Sequence, residues 1–482
     1  KRHASIDDAA LLDAYRAEIA PDAADAWWRE FVAATERPPR PAVRCVDAAA
    51  AAALRASTEC EEIPWAPGRG YWLNEEPSKR VAHVAGDYYV QEAAAMVAVA
   101  ALLRGEDLRR RVVAVDACAA PGGKTVQLAT ALRDAGADAV VVANEPSSSR
   151  LGALVANAVR CGVGPWLRCT RTTGQKLFAA LPRECADFIL LDAPCSGDTL
   201  ARREGRGLAK HLRGQPDAAS MKEIVATQLE IVRAAWPCLK EGGALVYATC
   251  SLRPREDEEI VDQVLKEFDD ASLEETGLAT SGDAMLRLWP QTHDSAGFFA
   301  AKLRKAGDGG GAAAAADADD DVADAARDYL RDAWGVTSLV GPESSRLVGR
   351  GANLWLAPAA PPLAKNLRYE RAGAKLVEAL KVRGRAVPLG QALRSGRVRA
   401  THEFATTLGG HVDAARRASL DDASALAYLR GDDVDAAPPS GEPGDQCLVA
   451  HGGRVLGLAK VLKGGRLKNQ LPRECVRRDL AF

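Results

Sequence analysis

The sequence lacks the patterns that place a chain in a membrane or build a structural metal site. No apolar run reaches the roughly 18–20 residues that a helix needs to cross a bilayer. The first residues, KRHASIDDAALLDAY, contain no apolar segment of the kind found in a secretory signal. The 11 cysteines include no C-x-x-C pair and no His/Cys cluster with zinc spacing. We therefore expect a soluble intracellular protein without a membrane contact or a metal, and its compartment (cytoplasm, nucleus or an organelle) is left open.

The length and composition indicate a globular protein of more than one domain. At 482 residues the chain exceeds what a single core normally accommodates, and the usual domain size predicts about three domains. A hydrophobic content of 47% is enough to bury substantial cores. An odd number of cysteines in a chain without a recognisable leader indicates free thiols in a reducing compartment. Most of them are expected to be small buried side chains.

The net charge of −2 conceals a basic C-terminal region. Residues 361–482 carry 21 Lys and Arg against 13 Asp and Glu. This excess has two readings, a solvated surface or a face that binds a polyanion, and charge alone leaves both open.

Short apolar runs alternate with helical segments between residues 111 and 268. Near-continuous apolar strands separated by helices are typical of βαβ units and a doubly wound parallel sheet. The predicted strands are RVVAVDA (111–117), DAVVVANE (138–145), ADFILLDAP (186–194) and GALVYATCS (243–251), and REDEEIVDQVLKEF (255–268) is the last predicted helix.

Each predicted strand ends in polar or reactive residues. Ligands of such sheets bind beyond the carboxyl ends of the strands, so these residues are expected to face one crevice. They are Asp116 with Gly122 and Gly123, Glu145, Asp192 with Cys195, and Thr249 with Cys250.

The first two strand ends predict a cofactor that contains a nucleoside. The glycines of CAAPGGKT (118–125) let the backbone approach a ligand closely, and Glu145 can accept both hydroxyls of a ribose. The turn matches neither G-x-G-x-x-G nor G-x-x-x-x-G-K-[ST], which disfavours NAD and a phosphate-binding loop. An ordinary tight turn is the alternative reading.

Cys195 and Cys250 at two strand ends predict nucleophilic chemistry. A thiolate adds well to an electron-poor carbon such as C6 of a pyrimidine, and the adduct makes C5 able to attack a methyl donor. Either cysteine alone is more simply a structural thiol. Two of them facing one crevice favour the chemical reading.

Several motifs together resemble the RNA cytosine-5 methyltransferases of the NOL1/NOP2/Sun family, which use S-adenosyl-L-methionine. These are DACAAPGGKT, NEPSSSR, LLDAPCSGD and YATCSLRPREDEE. YLRGDD and VLGLAKVLKGGRLKNQLPRE near the C-terminus resemble the PUA-like module of the bacterial small-subunit ribosomal RNA methyltransferase F group. The resemblance covers most of the chain and is weakest before about residue 60 and across 306–420.

The resemblance implies an α/β fold with a Rossmann-like, doubly wound methyltransferase core, an N-terminal α+β extension and a C-terminal PUA-like β-rich module. The implied domains are an N-terminal RNA-binding extension (1–85), the catalytic domain (86–305), an acidic Gly/Ala/Asp linker or loop (306–326), a connecting region (327–427) and the PUA-like RNA-binding module (428–482).

The resemblance also implies the roles of the site residues. Cys250 is the expected nucleophile, Cys195 acts in the release step, and Asp192 holds the target cytosine. Glu145 holds the ribose of the cofactor. The other residues expected near the cofactor are Cys118, Ala119, Ala120, Pro121, Gly122, Gly123, Lys124, Arg150, Thr173 and Asp192. DNA cytosine-5 enzymes place their nucleophile in a Pro-Cys motif, so the reverse assignment of the two cysteines is a rival.

The chain departs from the family pattern in three places. Thr173 stands where the family usually has an Asp for the adenine amino group. The segment after SGD (196–198) lacks the glycine usual there, and the following stretch lacks the expected Trp. The 306–326 insertion can change the placement of the C-terminal module.

RNA binding is expected at both ends of the chain. Trp65, Tyr71 and Trp72 could stack on unpaired bases, whereas Trp27 and Trp28 fit a helix core better. AHGGRVLGLAKV predicts two strands around a Gly-Gly turn. Residues 454–478 carry eight Lys and Arg against one Glu, which favours phosphate contacts over a merely solvated hairpin.

The predicted function is methyl transfer to C5 of a cytosine in RNA, with ribosomal RNA favoured and transfer RNA as the close rival. An N-methyltransferase, with Asp192-Ala-Pro gripping an amine, is a different enzyme class but gives Cys250 no role. A non-catalytic ribosome-assembly factor is the non-enzymatic reading. The protein is expected to act as a monomer.

Overall fold

The N-terminal region packs helices against a small antiparallel sheet. The computed structural model describes residues 7–205, 207–278, 284–307, 322–364, 366–437 and 442–480. The sheet has the order β2-β3-β1-β4. The elements of this region are α1 (Asp8–Ile19), α2 (Asp25–Thr35), β1 (Ala42–Cys45), α3 (Ala48–Ser57), β2 (Cys60–Glu62), β3 (Gly70–Leu73), α4 (Val81–Val84) and β4 (Tyr88–Val90).

The aromatic side chains of this region form its core. Trp65, Tyr71 and Trp72 are only 3%, 2% and 6% exposed, so the suggestion that they stack on RNA bases is wrong. Trp28 is buried, and Trp27 stacks on Phe31, as expected for a helix core. All four residues of β3 are buried, which shows that both faces of this strand are covered.

The central region builds the predicted doubly wound sheet. Its elements are α5 (Val97–Leu103), β5 (Arg111–Asp116), α6 (Gly123–Asp134), β6 (Asp138–Asn144), α7 (Ser148–Arg160), β7 (Leu167–Thr170), α8 (Gly174–Ala180), β8 (Ala186–Asp192), α9 (Leu200–Glu204), α10 (Leu208–Leu212), α11 (Ala218–Ala235), β9 (Leu239–Thr249), α12 (Glu258–Glu267), β10 (Ala271–Glu274), β11 (Met285–Leu288), α13 (Pro290–His293) and β12 (Phe298–Lys305).

The strand order of this sheet places the site. The order is β10-β12-β9-β8-β5-β6-β7, with β11 paired to β12, and β7 to β9 all run parallel to β5. The chain passes from β5 outward to β7 and then returns to β8 on the other side of β5. Strand order therefore reverses between β5 and β8, and such a switch point opens a crevice at the carboxyl ends of the strands.

A second small sheet follows the central region. Residues 308–321 of the predicted 306–326 linker lie outside the described part of the chain. The last residues of the predicted linker belong to α14, which begins at Ala323. The sheet has the order β13-β14-β15-β16. The elements are α14 (Ala323–Trp334), β13 (Arg346–Arg350), β14 (Asn353–Ala357), β15 (Ala374–Ala379), α15 (Leu389–Arg394), β16 (Val398–Ala400) and α16 (His402–Leu408). The domain boundaries drawn from the sequence stay predictions.

The last region is a five-stranded sheet with the order β17-β19-β20-β21-β18. Its elements are β17 (Arg417–Ser419), α17 (Asp422–Leu429), β18 (Val434–Asp435), β19 (Gln446–His451), β20 (Arg454–Val461) and β21 (Arg466–Asn469). The predicted hairpin at AHGGRVLGLAKV is confirmed, because β19 and β20 pair around Gly452 and Gly453, which have φ values of +56° and +81°. Val81 of α4 packs into the core of this region, and Arg454 pairs with Asp87, so the module rests against the N-terminal region.

A search of the described residues for a helix long and apolar enough to cross a membrane returned none.

Candidate active site

The two cysteines predicted to react lie side by side. Cys195 Sγ and Cys250 Sγ are 2.9 Å apart, in the turns that follow the neighbouring parallel strands β8 and β9. Both side chains are half-buried. Hydrogen bonding to Cys250 and burial raise the pKa of Cys195 well above its ordinary value. Cys195 therefore keeps its proton near neutral pH and can donate it toward the Cys250 sulfur.

Asp192 and Lys124 form an ion pair beside the cysteines. Lys124 Nζ lies 2.8 Å from Asp192 Oδ2, and this contact joins the first turn of α6 to the end of β8. Burial lowers the pKa of Lys124, but the Asp192 carboxylate and its hydrogen bond outweigh this effect, and the pKa is raised overall. The pair presents a fixed anion and a fixed cation to the crevice.

The glycine-rich turn leads into the N-terminus of α6. Gly122 has a φ of +112°, a left-handed conformation that favours glycine, and the helix starts at Gly123. The first backbone N–H groups of a helix have no partner within it, so those at the start of α6 can donate to a ligand. Cys118 lies in the same turn, and burial raises its pKa above the usual range, so it stays a neutral thiol.

Buried carboxylates lie at the carboxyl ends of β5 and β6, where the predicted ligand has a ribose and an amino acid end. Glu145, directly after β6, is 1% exposed. Its Oε1 accepts a hydrogen bond from the Ser147 N–H at 2.9 Å, and its Oε2 lies 3.1 Å from Arg150 Nη1. Arg150 also donates to the Ala120 carbonyl at 3.0 Å and so closes the turn over the carboxylate. Asp116 Oδ1 is buried and has no hydrogen-bond partner among the described residues. A buried acceptor without a donor and a cradle of backbone N–H groups fit such a ligand.

Thr173 caps the helix that follows the third strand. Its hydroxyl accepts a hydrogen bond from the Lys176 N–H at 3.5 Å at the start of α8. The residue is exposed, and its contact with an adenine remains a prediction.

Sequence reasoning missed two buried carboxylates around this crevice, Asp198 and Glu256, and did not anticipate the burial of a third, Asp116. Asp198 accepts hydrogen bonds from the Leu252 N–H at 3.2 Å and from the Tyr15 hydroxyl, which connects α1 to the turn after Cys250. Glu256 contacts both cysteine turns. Asp116 was noted only as a strand end, yet burial raises its pKa to about 7. The available signal for Glu256 was that a serine follows each cysteine, in APCS and in ATCS, because both serines bind this carboxylate in the structure.

The described residues contain no group of three or more His, Cys, Asp or Glu side chains that could hold a metal ion.

Three family models match the chain and together span most of it. The model described as 16S rRNA methyltransferase RsmB/F matches residues 105–304. The N-terminal domain of 16S rRNA methyltransferase RsmF matches residues 14–93, and the Methyltransferase RsmF PUA domain matches residues 415–477.

Curated relatives align over nearly their whole length. Ribosomal RNA small subunit methyltransferase F of Serratia proteamaculans is 34% identical, and the alignment covers 97% of this chain and 96% of that protein. The protein of the same name from Aeromonas salmonicida is 33% identical, with 94% of each chain covered.

Solved structures match about three fifths of the chain. A methyltransferase homolog protein from Pyrococcus horikoshii is 25% identical with a TM-score of 0.50, and the match covers 61% of this chain and 95% of that one. NSun6 from Pyrococcus horikoshii, solved with SFG, is 19% identical with a TM-score of 0.51 over 62% of this chain and 98% of that one. The second match supports the fold alone.

Proposed function

This chain belongs to the ribosomal RNA small subunit methyltransferase F family, and we propose that it methylates C5 of a cytosine in ribosomal RNA through a covalent adduct on Cys250. Family membership establishes a ribosomal RNA methyltransferase that uses S-adenosyl-L-methionine, so the predicted cofactor is confirmed. It also confirms the α/β methyltransferase core and the C-terminal PUA module. The base, the reacting atom and the covalent step are the proposal.

The 2.9 Å separation of the Cys195 and Cys250 sulfur atoms carries this proposal. Methyl transfer to a base nitrogen or to a ribose oxygen needs no thiol. Methylation of C5 needs a nucleophile at C6, because this carbon–carbon double bond reacts poorly with a methyl donor until C6 is attacked. Two thiols at the mouth of the crevice fit that requirement.

The proposed reaction begins with the Cys250 sulfur. Once its proton has passed to water, the Cys250 thiolate forms a carbon–sulfur bond with C6, and the electron pair of the double bond moves to C5. C5 takes the methyl group as the methyl–sulfur bond of the donor breaks, and the electron pair of that bond stays on the donor sulfur. Loss of the C5 proton to water then restores the double bond as the carbon–sulfur bond breaks and its electron pair returns to the Cys250 sulfur. We assign Cys195 to this release step, because its protonated thiol lies 2.9 Å from the Cys250 sulfur and can donate a proton to that sulfur as the carbon–sulfur bond breaks.

Asp192 and Lys124 are proposed to hold the base. The Asp192 carboxylate can accept a hydrogen bond from the exocyclic amino group of cytosine. Lys124, at 2.8 Å, keeps a positive charge beside the developing negative charge on the ring. The target cytosine must leave its stack to reach this crevice.

The residues proposed to hold S-adenosyl-L-methionine line the other half of the crevice. The cofactor supplies an activated methyl group when bound. Glu145 holds the ribose, and Arg150 keeps the Glu145 carboxylate in place. The turn from Cys118 to Lys124 surrounds the methionine end, and Thr173 lies near the adenine.

Ribosomal RNA is proposed as the substrate because the relatives that align over the full chain carry that name. Transfer RNA is the alternative predicted from the sequence, and no feature of the described residues favours it. A non-catalytic assembly role does not explain why the two thiols are adjacent.

Bisulfite sequencing tests the proposal directly. Small-subunit ribosomal RNA without the modification is incubated with the protein and S-adenosyl-L-methionine, and one cytosine should become resistant to conversion. Transfer RNA in a parallel reaction distinguishes the two substrates. Methyl incorporation without a protected cytosine would contradict the assignment to C5.

A further inference from the structure

Glu256 is a fully buried carboxylate that contacts both cysteine turns. It ends the short 3-10 turn Pro254–Glu256 that follows Cys250. Its Oε2 accepts a hydrogen bond from the Ser196 N–H at 2.8 Å, and its Oε1 accepts from Ser196 Oγ at 2.5 Å and from Ser251 Oγ at 2.9 Å. Ser196 and Ser251 each follow one of the two cysteines. One side chain therefore anchors the residue after each reactive sulfur.

Gln228 completes the support of the Cys195 turn. This side chain is fully buried on α11, and its Nε2 donates to the Pro194 carbonyl at 2.9 Å and to Glu256 Oε2 at 3.2 Å. Pro194 and Ser196, on either side of Cys195, are thus held by two buried side chains that are hydrogen-bonded to each other.

The backbone of Glu256 is fixed to the strand that carries Cys250. The Tyr247 hydroxyl of β9 donates to the Glu256 carbonyl at 2.6 Å. The hydroxyl of Thr249, which directly precedes Cys250, donates at 2.6 Å to the carboxylate of Asp257, the residue after Glu256. The carboxylate of Glu256 therefore stands on the same rigid strand end as the proposed nucleophile and reaches across to β8.

The contacts of the Glu256 side chain point to a role beyond stability. No Lys or Arg pairs with it among the residues that the structure describes, and its contacts are neutral N–H and O–H donors. A buried carboxylate without a cation is costly and is retained where several donors satisfy it in a fixed geometry. Apolar packing would hold the two turns together without fixing their separation.

We propose that Glu256 is a positioning residue for methyl transfer: by binding Ser196 and Ser251 with one carboxylate, it fixes the distance between the Cys195 and Cys250 sulfur atoms. The inference rests on the proposed function, which supplies the reaction in which both sulfur atoms take part. The distance itself is measurable without that reaction.

Phenylarsine oxide, which bridges two adjacent thiols with loss of water, measures the separation of the sulfurs. The wild-type protein should bind it through Cys195 and Cys250, and Cys195→Ser should abolish this capture. Ser196→Ala with Ser251→Ala removes both hydroxyl contacts of Glu256 and should slow capture by about 10-fold or more. Unchanged capture in this double variant would overturn the inference.

Turnover gives the second measurement. The same double variant should lower kcat for transfer of labelled methyl to ribosomal RNA by about 10- to 100-fold, because displacements near 1 Å have effects of this size. The KM for RNA and the affinity for S-adenosyl-L-methionine should stay unchanged. As a single change in the wild-type protein, Glu256→Gln should keep most of the rate, because its amide can donate to the two serine hydroxyls while its oxygen accepts from the Ser196 N–H.

Glu106→Gln is the matched control. Glu106 is a largely buried carboxylate that binds Lys302 at 2.7 Å and Arg304, at the far end of β12 from the cysteines. It should lower thermal stability without changing kcat or arsenical capture. If a loss of stability alone explained the effect, Glu106→Gln would reproduce it, and the inference would fall. Methyl transfer by Cys250→Ala would instead contradict the proposed function and leave the arsenical result valid.

Discussion

The Lys124 ammonium lies 2.8 Å from Asp192 Oδ2, and this ion pair joins the cofactor half of the crevice to the half that holds the two cysteines. The raised pKa of Lys124 depends on this carboxylate, because burial alone lowers it. The ring of Phe298 lies 4.9 Å from the same ammonium and covers one side of it. The positive charge of Lys124 at the proposed base-binding position therefore depends on the Asp192 carboxylate.

Asp192→Asn should lower the rate of methyl transfer by about 10²–10³-fold, as expected when a group aligned with developing charge is lost. Lys124→Met should have an effect of similar size. Because the two groups act as a unit, the double variant should lose far less than the product of the single effects. Single-turnover transfer of labelled methyl to ribosomal RNA measures all three. Multiplicative effects would contradict the coupling.

Asp116 should make the stability of the protein depend on pH. Burial raises its pKa from 3.8 to about 7, with Asp192 adding to the effect, while its hydrogen bond from Thr125 opposes it. Between about pH 4 and 7 the folded state therefore holds a proton that the unfolded state has lost. The stability that Asp116 contributes is complete below about pH 4 and is lost as the pH rises to about 7, by on the order of 4 kcal/mol.

Asp116→Asn isolates this contribution, because asparagine does not titrate and its oxygen can still accept from Thr125. The midpoint of thermal unfolding of both proteins is measured from pH 4 to pH 8. As the pH rises from 4 to about 7, the unfolding midpoint of the variant should rise relative to that of the wild type. Above about pH 7 the difference between the two midpoints should stay constant. A difference that does not vary with pH would contradict the prediction.

Glu145→Ala should weaken binding of S-adenosyl-L-methionine by about 1.5–3 kcal/mol, the usual contribution of hydrogen bonds to a charged group. The carboxylate is buried and is held beside Arg150, at the position proposed for the ribose. Calorimetry measures the affinity. Asp138→Ala is the control, since Asp138 begins the same strand at its opposite end and binds Arg111 there. An unchanged affinity in a folded Glu145→Ala protein would refute the assignment.

The sequence predicted the strands and their polar ends well, because apolar runs bounded by glycine and proline have few other readings. Asp192, Glu145 and the two cysteines lie at one edge of the sheet, since parallel strands end on the same side. Glu145 lies one residue beyond the end of β6, within the range expected for a strand boundary.

The contacts between distant segments were not predictable in this way. In PREDEE (254–259), four acidic residues look alike in the sequence, and only the fold shows that Glu256 and Asp257 are buried while the two that follow are not. Likewise, nothing local in the sequence shows that Trp65 and Trp72 are buried, or that Trp65 contacts His293 of the distant α13. Aromatic residues in short strands fit a core and an RNA surface equally well.

The basic face of the last module should bind phosphate. Arg466 and Lys468 are exposed on β21 on either side of the buried Leu467, and Arg473 is exposed in the turn that follows. Replacing these three basic residues with Gln should weaken RNA binding and reduce its salt dependence by about 0.7–0.9 log unit of slope for each lost phosphate contact. Binding of S-adenosyl-L-methionine should not change.

Arg109, Lys222 and Lys266 provide a control that removes the same charge from exposed positions of the catalytic domain. Filter binding of ribosomal RNA over a range of salt concentrations compares the two triple variants. An equal slope in both would show that the C-terminal face is only solvated.

The order of bond making distinguishes the two cysteines. If Cys250 adds to C6, Cys250→Ala can form no covalent species and should be inactive without an RNA adduct. If Cys195 acts only in release, Cys195→Ala can still add and transfer the methyl group but stalls before the carbon–sulfur bond breaks. It should accumulate a protein–RNA adduct that survives denaturing electrophoresis and disappears when Cys250 is also replaced. Because the sulfurs lie 2.9 Å apart, geometry alone permits the reverse assignment. An adduct formed by Cys250→Ala and absent from Cys195→Ala would exchange the two roles, and adducts from neither would leave both thiols outside the reaction.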